Sequence, residues 1–459
     1  MASKSKRARM APQRNLAKTF AYWTIAVLII KLIIIARIQA FNFQISGKPF
    51  LIDGAWLGAD GENYLIGFNG LIKDGVFSKE GILNYWPAGY PLVIFFLSIF
   101  GKSWVLTSLS VFQSAIFSYG VYLFASQLSR TRLKKFAYLV FILIILNPTL
   151  SLSSIAVGYE SLTASGFLIA CGLIIKDFIE KDDKKFIKYL VINSMIFGLL
   201  TFMQPRLIVS GILINLFWIL IRKGIKAGSL VVIVSLAVTL FFPAALIFRN
   251  HKVIGVNSIS TNLGVTMNIG AGDKATGGYM KKDFGVPCTL TGDASQQDNQ
   301  RVKCVLNWYA SNPTKAIKLF YNKTLYFWSP WFGPEANGTM ARNPWLTISP
   351  IKNIASTPDG ANLVYGGFGK IISWLWLLGG LALLLYGFII LWRQNSLERF
   401  IGNIAIIAIS TNWLISLVSI GDHRFRIPIM GMSLFLQAVG LKTLFKGVKA
   451  PMVEGPALR

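Results

Sequence analysis

The chain has 459 residues, of which 54% are hydrophobic, 13% aromatic and only 14% charged. Soluble domains carry roughly 25% charged residues, so this composition excludes one and points to a polytopic membrane protein. The formal net charge of +27 does not signal a nucleic-acid partner, because Lys and Arg fall in short runs between apolar segments, as in cytoplasmic loops.

The basic start, MASKSKRARMAPQRNLAK, precedes an apolar stretch from Thr19 to Ala40. That stretch exceeds a signal-peptide core and lacks a small-residue cleavage site, so it reads as a retained first span with a cytoplasmic N-terminus. Lys31 near its middle is costly in a bilayer and reads as facing a polar cavity between helices. Leu51 to Tyr90 then lies outside; it is polar, glycine-rich and carries Asp53, Asp60, Glu62, Asp74 and Glu80. Carboxylates placed where a chain leaves the membrane mark a candidate site. Pro91 to Phe100 is too short to cross a core of about 30 Å and reads as an interfacial or re-entrant helix.

Full spans are expected at Trp104–Gln127, Phe136–Val157, Ser161–Ile175, Tyr189–Met203, Leu207–Ile221 and Leu230–Phe248. A long polar segment follows, and then Ile371–Trp392, Ile401–Ile420 and Ile427–Phe445 complete about ten spans with both ends inside. Charge bias fixes the count: were Pro91–Phe100 a span, the run Arg130, Arg132, Lys134 and Lys135 would fall outside. The short external turns contain only Arg206, Arg424 and Arg426. The expected organisation is an N-terminal transmembrane module at 1–248 with a catalytic external loop at 41–103. An external region at 249–369 and a C-terminal module with its tail at 370–459 follow.

This topology brings Asp60, Glu160, Arg206, Arg249, Asn250, Asp422, Arg424 and Arg426 to one external face, each at or near a helix end. Charged groups at membrane depth face a cavity or a ligand. Glu160 is the clearest, being the only acidic residue between Glu80 and Asp177. The plainer alternatives are an interfacial carboxylate for Glu160 and an arginine reaching headgroups for Arg206.

Five strings resemble, in order, the integral-membrane type C glycosyltransferases, especially the protein O-mannosyltransferase and aminoarabinose transferase branch. They are Asp60 with Tyr64 and the Trp86–Pro91 string WPAGYP; Asn147-Pro148 followed by Glu160-Ser161-Leu162; Gln204-Pro205-Arg206, where the family often has Thr-Arg-Pro; Arg249-Asn250 leading to Asn268-Ile269-Gly270; and Asp422-His423-Arg424-Phe425-Arg426-Ile427-Pro428. The resemblance implies an all-α fold with interfacial helices in the first external loop. It also implies transfer of a sugar from a polyprenyl-phosphate donor to a glycan, lipid or protein acceptor, with inversion.

The residues suit that chemistry. An acceptor hydroxyl needs a base as it attacks the anomeric carbon, a contribution of about 10² to 10⁴-fold; Asp60 is the candidate, with Gly61 beside it leaving room for substrate. A departing lipid phosphate is best held by guanidinium forks. Arg206, Arg249, Arg424 and Arg426 are the candidates, with the Arg424 and Arg426 pair favoured. Glu160 is read as orienting the acceptor, assisting Asp60 or helping to hold a divalent ion. A donor without a diphosphate requires no metal, so no metal ligands are assigned.

Tyr64, Tyr90, Asn250 and His423 are carried as positioning residues; His423, next to Asp422, reads as structural or phosphate-contacting, since neighbours in sequence do not face each other. Cys288 and Cys304 both fall in the long external segment, where a disulfide is open to them, while Cys171 within a span reads as a small buried apolar residue. The aromatic string from Tyr326 to Trp331 reads as an interfacial belt or as a sugar-stacking platform. The triplets at Asn322 and Asn337 match a glycosylation pattern that chance often supplies. Two other classes are weighed: a lipid flippase or transporter, which tends to show repeats and mid-membrane charges, and an O-antigen polymerase or ligase.

Overall fold

The computed structural model describes residues 13–38, 41–52, 54–57, 60–279, 285–329, 357, 367–394 and 397–446. Asp53, Pro330, Trp331, the triplet at Asn337, residues 1–12 and residues 447–459 lie outside them. Among the described residues nine helices are long and apolar enough to cross a membrane, so the protein is an all-α polytopic membrane protein. In chain order it starts with α1 (Gln13–Ile35), the hairpin β1 (Phe41–Ile45) and β2 (Lys48–Ile52), the two-residue β3 (Trp56–Leu57), α2 (Gly61–Asp74), α3 (Ile82–Tyr85) and α4 (Gly89–Leu97). It continues with α5 (Val105–Leu128), α6 (Lys134–Ile145), α7 (Pro148–Ser153), β4 (Ala156–Val157), α8 (Glu160–Glu180), α9 (Asp183–Met203) and α10 (Leu207–Ile254). The rest is α11 (Leu263–Ile269), α12 (Ala294–Ser311), α13 (Pro313–Phe327), α14 (Gly367–Trp392), α15 (Leu397–Val418), a 3-10 turn at His423–Ile429 and α16 (Met430–Lys446).

Helix α8 is the axis of the bundle. Its small residues, among them Ser161, Ala164, Ser165 and Gly166, let α5 and α9 approach closely, as membrane helices require. Several polar groups inside the spans pair with one another: Asn193 Nδ2 donates to Asn215 Oδ1 at 2.8 Å, and Asn215 Nδ2 to Ser194 Oγ at 3.1 Å. Asn215 Nδ2 also reaches Ser235 Oγ at 3.3 Å, which shows that α10 folds back on itself. The reversal is at Gly224, whose φ of 67° and ψ of 178° suit glycine alone.

One expectation is revised. Phe136–Val157 is divided, because Asn147 and Pro148 end α6 and start α7. The Asn147 side chain accepts the Leu150 N–H at 3.0 Å and Pro148 occupies the first turn. Twelve residues of α6 reach about 18 Å, so α6 alone is too short for a core of about 30 Å. The Pro91–Phe100 piece is a short helix, α4, prolonged by one 3-10 turn.

Between α10 and α14 a small unit packs on the end of the bundle. Met267, Ala271, Val286 and Val305 form its core, and Cys288 and Cys304 are joined by a disulfide. Lys323 fixes it to α15. Fully buried, its Nζ donates to the carbonyls of Leu417 at 2.9 Å and Ser419 at 2.5 Å and to Tyr309 Oη at 2.8 Å. Burial pushes this ammonium down to about 7.

Candidate active site

The acidic pair is set by a two-residue parallel ladder. Trp56 pairs with Ala156 and Leu57 with Val157, anchored by Trp56 N–H to the Ile155 carbonyl at 3.0 Å. Asp60 and Glu160 each stand three residues past the end of their strand, Asp60 as the N-cap of α2 and Glu160 as the first residue of α8. Helix N-termini favour carboxylates. Gly61, expected to leave room for substrate, instead lets the first turn of α2 pack on Leu57 and Val157, where a β-carbon would lie 3.2 and 3.4 Å from their side chains.

Arg424, from the 3-10 turn before α16, closes the pair. Its Nη1 donates to Asp60 Oδ2 and its Nε to Glu160 Oε1, joining residues 364 and 264 positions apart. All three side chains are buried. One guanidinium therefore bridges two carboxylates, the forked geometry that arginine alone supplies. Asp422 shapes the turn by accepting the Arg424 backbone N–H at 2.8 Å, and burial raises its carboxyl above the ordinary range.

An aromatic wall stands behind the carboxylates. Tyr64 packs edge-on against Tyr90 at 4.9 Å and tilted against Trp86 at 5.5 Å between ring centres. Arg424 lies 5.4 Å over the Tyr159 ring, and Gln204 Nε2 donates to the Tyr159 hydroxyl at 2.8 Å. Burial pushes the Tyr159 phenol up to about 12. Arg206 stacks 3.4 Å over Phe425, which puts it beside the Arg424 turn. Its Nε is buried without a hydrogen-bond partner, and burial lowers this guanidinium to about 10, so it stays charged at neutral pH.

Other candidates stand elsewhere. All three nitrogens of the Arg249 guanidinium donate to protein acceptors: the carbonyls of Val76 at 2.9 Å, Ser78 at 2.6 Å and Leu83 at 3.2 Å, with Asn84 Oδ1 at 3.0 Å and Asn250 Oδ1 at 2.7 Å. It clamps the loop before α3, and the assignment to phosphate is corrected accordingly. Asn250 likewise donates to the Ser258 and Ile259 carbonyls, each at 2.9 Å, and so fixes backbone. Tyr90 is fully buried and passes its hydroxyl hydrogen to Gln113 Oε1 at 3.1 Å while accepting the Gly158 N–H at 2.7 Å. His423 is buried with Nδ1 3.3 Å from Ser329 Oγ and 3.8 Å from Asp422 Oδ1, a structural position. Arg426 donates to the Ser329 carbonyl and lies 5.5 Å over Trp328.

Gly158 and Gln113 escaped the sequence reading, since neither residue type advertises a site. A β-carbon on Gly158 would collide with Glu160 Oε2, the movable end of a side chain. Gly158→Ala is therefore expected to keep the fold and push the Glu160 carboxylate off Arg424. Thermal unfolding should shift by only a few degrees while any Glu160-dependent activity falls about tenfold or more.

The architecture thus defines a polytopic membrane protein with a buried acid–arginine–acid centre at one end of its bundle. No protein-family model and no curated protein sequence matches the chain. Among solved structures it is similar to the Archaeoglobus fulgidus oligosaccharyltransferase in complex with Zn and sulfate, at 14% identity and a TM-score of 0.45, over 92% of this chain and 49% of that one. The apo form gives 14% and 0.45 over 93% and 51%. The archaeal oligosaccharyltransferase AglB from the same organism, with an inhibitory peptide and a dolichol-phosphate, gives 14% and 0.42 over 95% and 53%. The chain spans about half the length of these proteins.

Proposed function

We propose that this chain is a type C membrane glycosyltransferase that moves a sugar from a polyprenyl-phosphate donor to an acceptor hydroxyl on the external face of the plasma membrane, with inversion. The observation that carries the reading is Arg424, forked between Asp60 and Glu160 and flanked by Arg206 with its unpartnered Nε.

Asp60 is the base. Arg424 holds its Oδ2, and Oδ1 makes no hydrogen bond among the described residues, so it can take the acceptor proton as oxygen attacks the anomeric carbon. Electrons of the anomeric C–O bond leave with the lipid phosphate. That phosphate is met by Arg424 Nη2, which makes no protein hydrogen bond among the described residues, and by Arg206. Glu160 fixes the guanidinium from the other side, so that Arg424 keeps its fork when the phosphate arrives. Arg206, which stacks on Phe425 of the same turn, is the second arginine in this reading.

Arg426 has a different place. It stands at a cleft of about 320 Å³ lined by Leu143 of α6, Trp376 and Leu384 of α14 and Met430 and Leu434 of α16. A polyprenyl tail passes from bilayer into such a cleft at little cost, because lipid is as apolar as the lining. Discrimination then falls to the head group at the arginines. Gly379 lines this cleft and a β-carbon there meets nothing within 4 Å. Gly379→Phe should raise the donor KM about fivefold or more, with kcat within about twofold, because it fills the tail path.

Asp60 and Glu160 are bridged by a guanidinium, and among the described residues no three candidate metal ligands cluster. No step is routed through a metal. Purified protein given a radiolabelled polyprenyl-phosphate sugar and candidate acceptors should form a new glycosidic bond. Movement of the lipid without bond formation would indicate a flippase, and a strict need for a diphosphate-linked donor would indicate a polymerase or ligase.

A further inference from the structure

Lys31 lies in the first membrane helix and is buried. Among the described residues no carboxylate bonds it. Its Nζ donates instead to the Ser151 carbonyl at 2.7 Å and to Ser154 Oγ at 2.5 Å, and it faces the Phe117 ring at 4.6 Å. A cation at this depth is kept only when its partners fully satisfy it.

Those partners lead to the acidic pair. Ser154 Oγ lies 3.1 Å from Ser114 Oγ, and the neighbouring Gln113 donates Nε2 to the Ala156 carbonyl at 2.9 Å. Gln113 Oε1 accepts the Tyr90 hydroxyl at 3.1 Å, and that hydroxyl accepts the Gly158 N–H at 2.7 Å. Lys31, Gln113, Ser114, Ser154 and Tyr90 are all buried. The segment from Ser151 to Glu160 therefore hangs on side chains of α1, α4 and α5. It contains β4, the strand whose register with β3 sets Glu160 opposite Asp60.

We infer that Lys31 is a positioning residue for Glu160: its buried ammonium pins the Ser151–Ser154 turn, and through Gln113 and Tyr90 the strap holds the carboxylate on Arg424. Helix α1 packs on α5 and α6, so the first span acts as a lever on the site and not only as an anchor. The kinetic part of this inference rests on the glycosyltransferase reading; the structural part does not.

The test is amide hydrogen exchange on the purified full chain in detergent, paired with transfer kinetics. In Lys31→Met, amides from Ser154 to Glu160 should exchange about tenfold faster, with α15 and α16 unchanged. In the transfer assay kcat should fall about ten- to a hundredfold with both KM values within about twofold, as for a misplaced group. Lys31→Met added to Glu160→Gln should cost little beyond Glu160→Gln alone. Gln113→Leu cuts the same relay in α5 and gives the same readouts if Lys31→Met fails to fold. Unchanged exchange at the strap in both variants, faster exchange across every helix, or effects of Lys31→Met and Glu160→Gln that multiply would overturn the inference. A wild-type protein that forms no glycosidic bond, yet shows the strap-specific exchange in Lys31→Met, would sink the transferase reading and leave this one standing.

Discussion

Asp60→Asn is expected to lower transfer by about 10³-fold or more while donor binding stays within about threefold. The amide is nearly isosteric, and its oxygen can still accept from Arg424 Nη1, so the bridge between α2 and the turn before α16 survives. What the amide cannot do is take a proton from the attacking hydroxyl, and a general base contributes up to about 10⁴-fold. The measurement is single-turnover formation of labelled product, with donor binding and thermal unfolding in parallel. Turnover at the wild-type rate would refute Asp60 as the base. Loss of activity together with collapse of the unfolding transition would make Asp60 a structural residue.

Arg424→Ala should be the most damaging substitution in the chain for both stability and binding. Removal of the guanidinium leaves Asp60 and Glu160 buried side by side without their shared partner. Breaking a buried ion pair from one side costs about 3 to 5 kcal/mol, and here one deletion strands two carboxylates. Donor affinity should fall about a hundredfold as well, because the same group meets the phosphate. Arg424→Lys separates the two effects: a single ammonium keeps the charge but cannot fork, so stability should recover in part while kcat stays low. Equal donor affinity in Arg424→Ala and wild type would remove Arg424 from the phosphate site.

The sequence carried the bundle better than the site. Hydropathy is a local property, and α1, α5, α8, α9, both halves of α10 and α14 to α16 fall where apolar runs lie. Phe136–Val157 reads as one span by composition, which does not register that Asn147 can cap and Pro148 can start a new helix within an apolar run. Arg249 shows the same limit in the site. Its place at a helix end suggested a free cation, but the acceptors that occupy its guanidinium lie up to 173 residues away in sequence. Arg206 was legible as a charge at a boundary; its stacking on Phe425 was not.

What the sequence settled alone is that this chain crosses a membrane many times and that its carboxylates and arginines gather near helix ends, because burying charge in hydrocarbon is too costly for any other arrangement. Tertiary structure decided which of those charges meet. A two-residue parallel ladder brings Asp60 level with Glu160, and a 3-10 turn 264 residues beyond Glu160 inserts the guanidinium between them. Hydrogen bonds reach only about 3 Å, so a pairing across such separations is set by how whole helices pack and not by the residues that flank it.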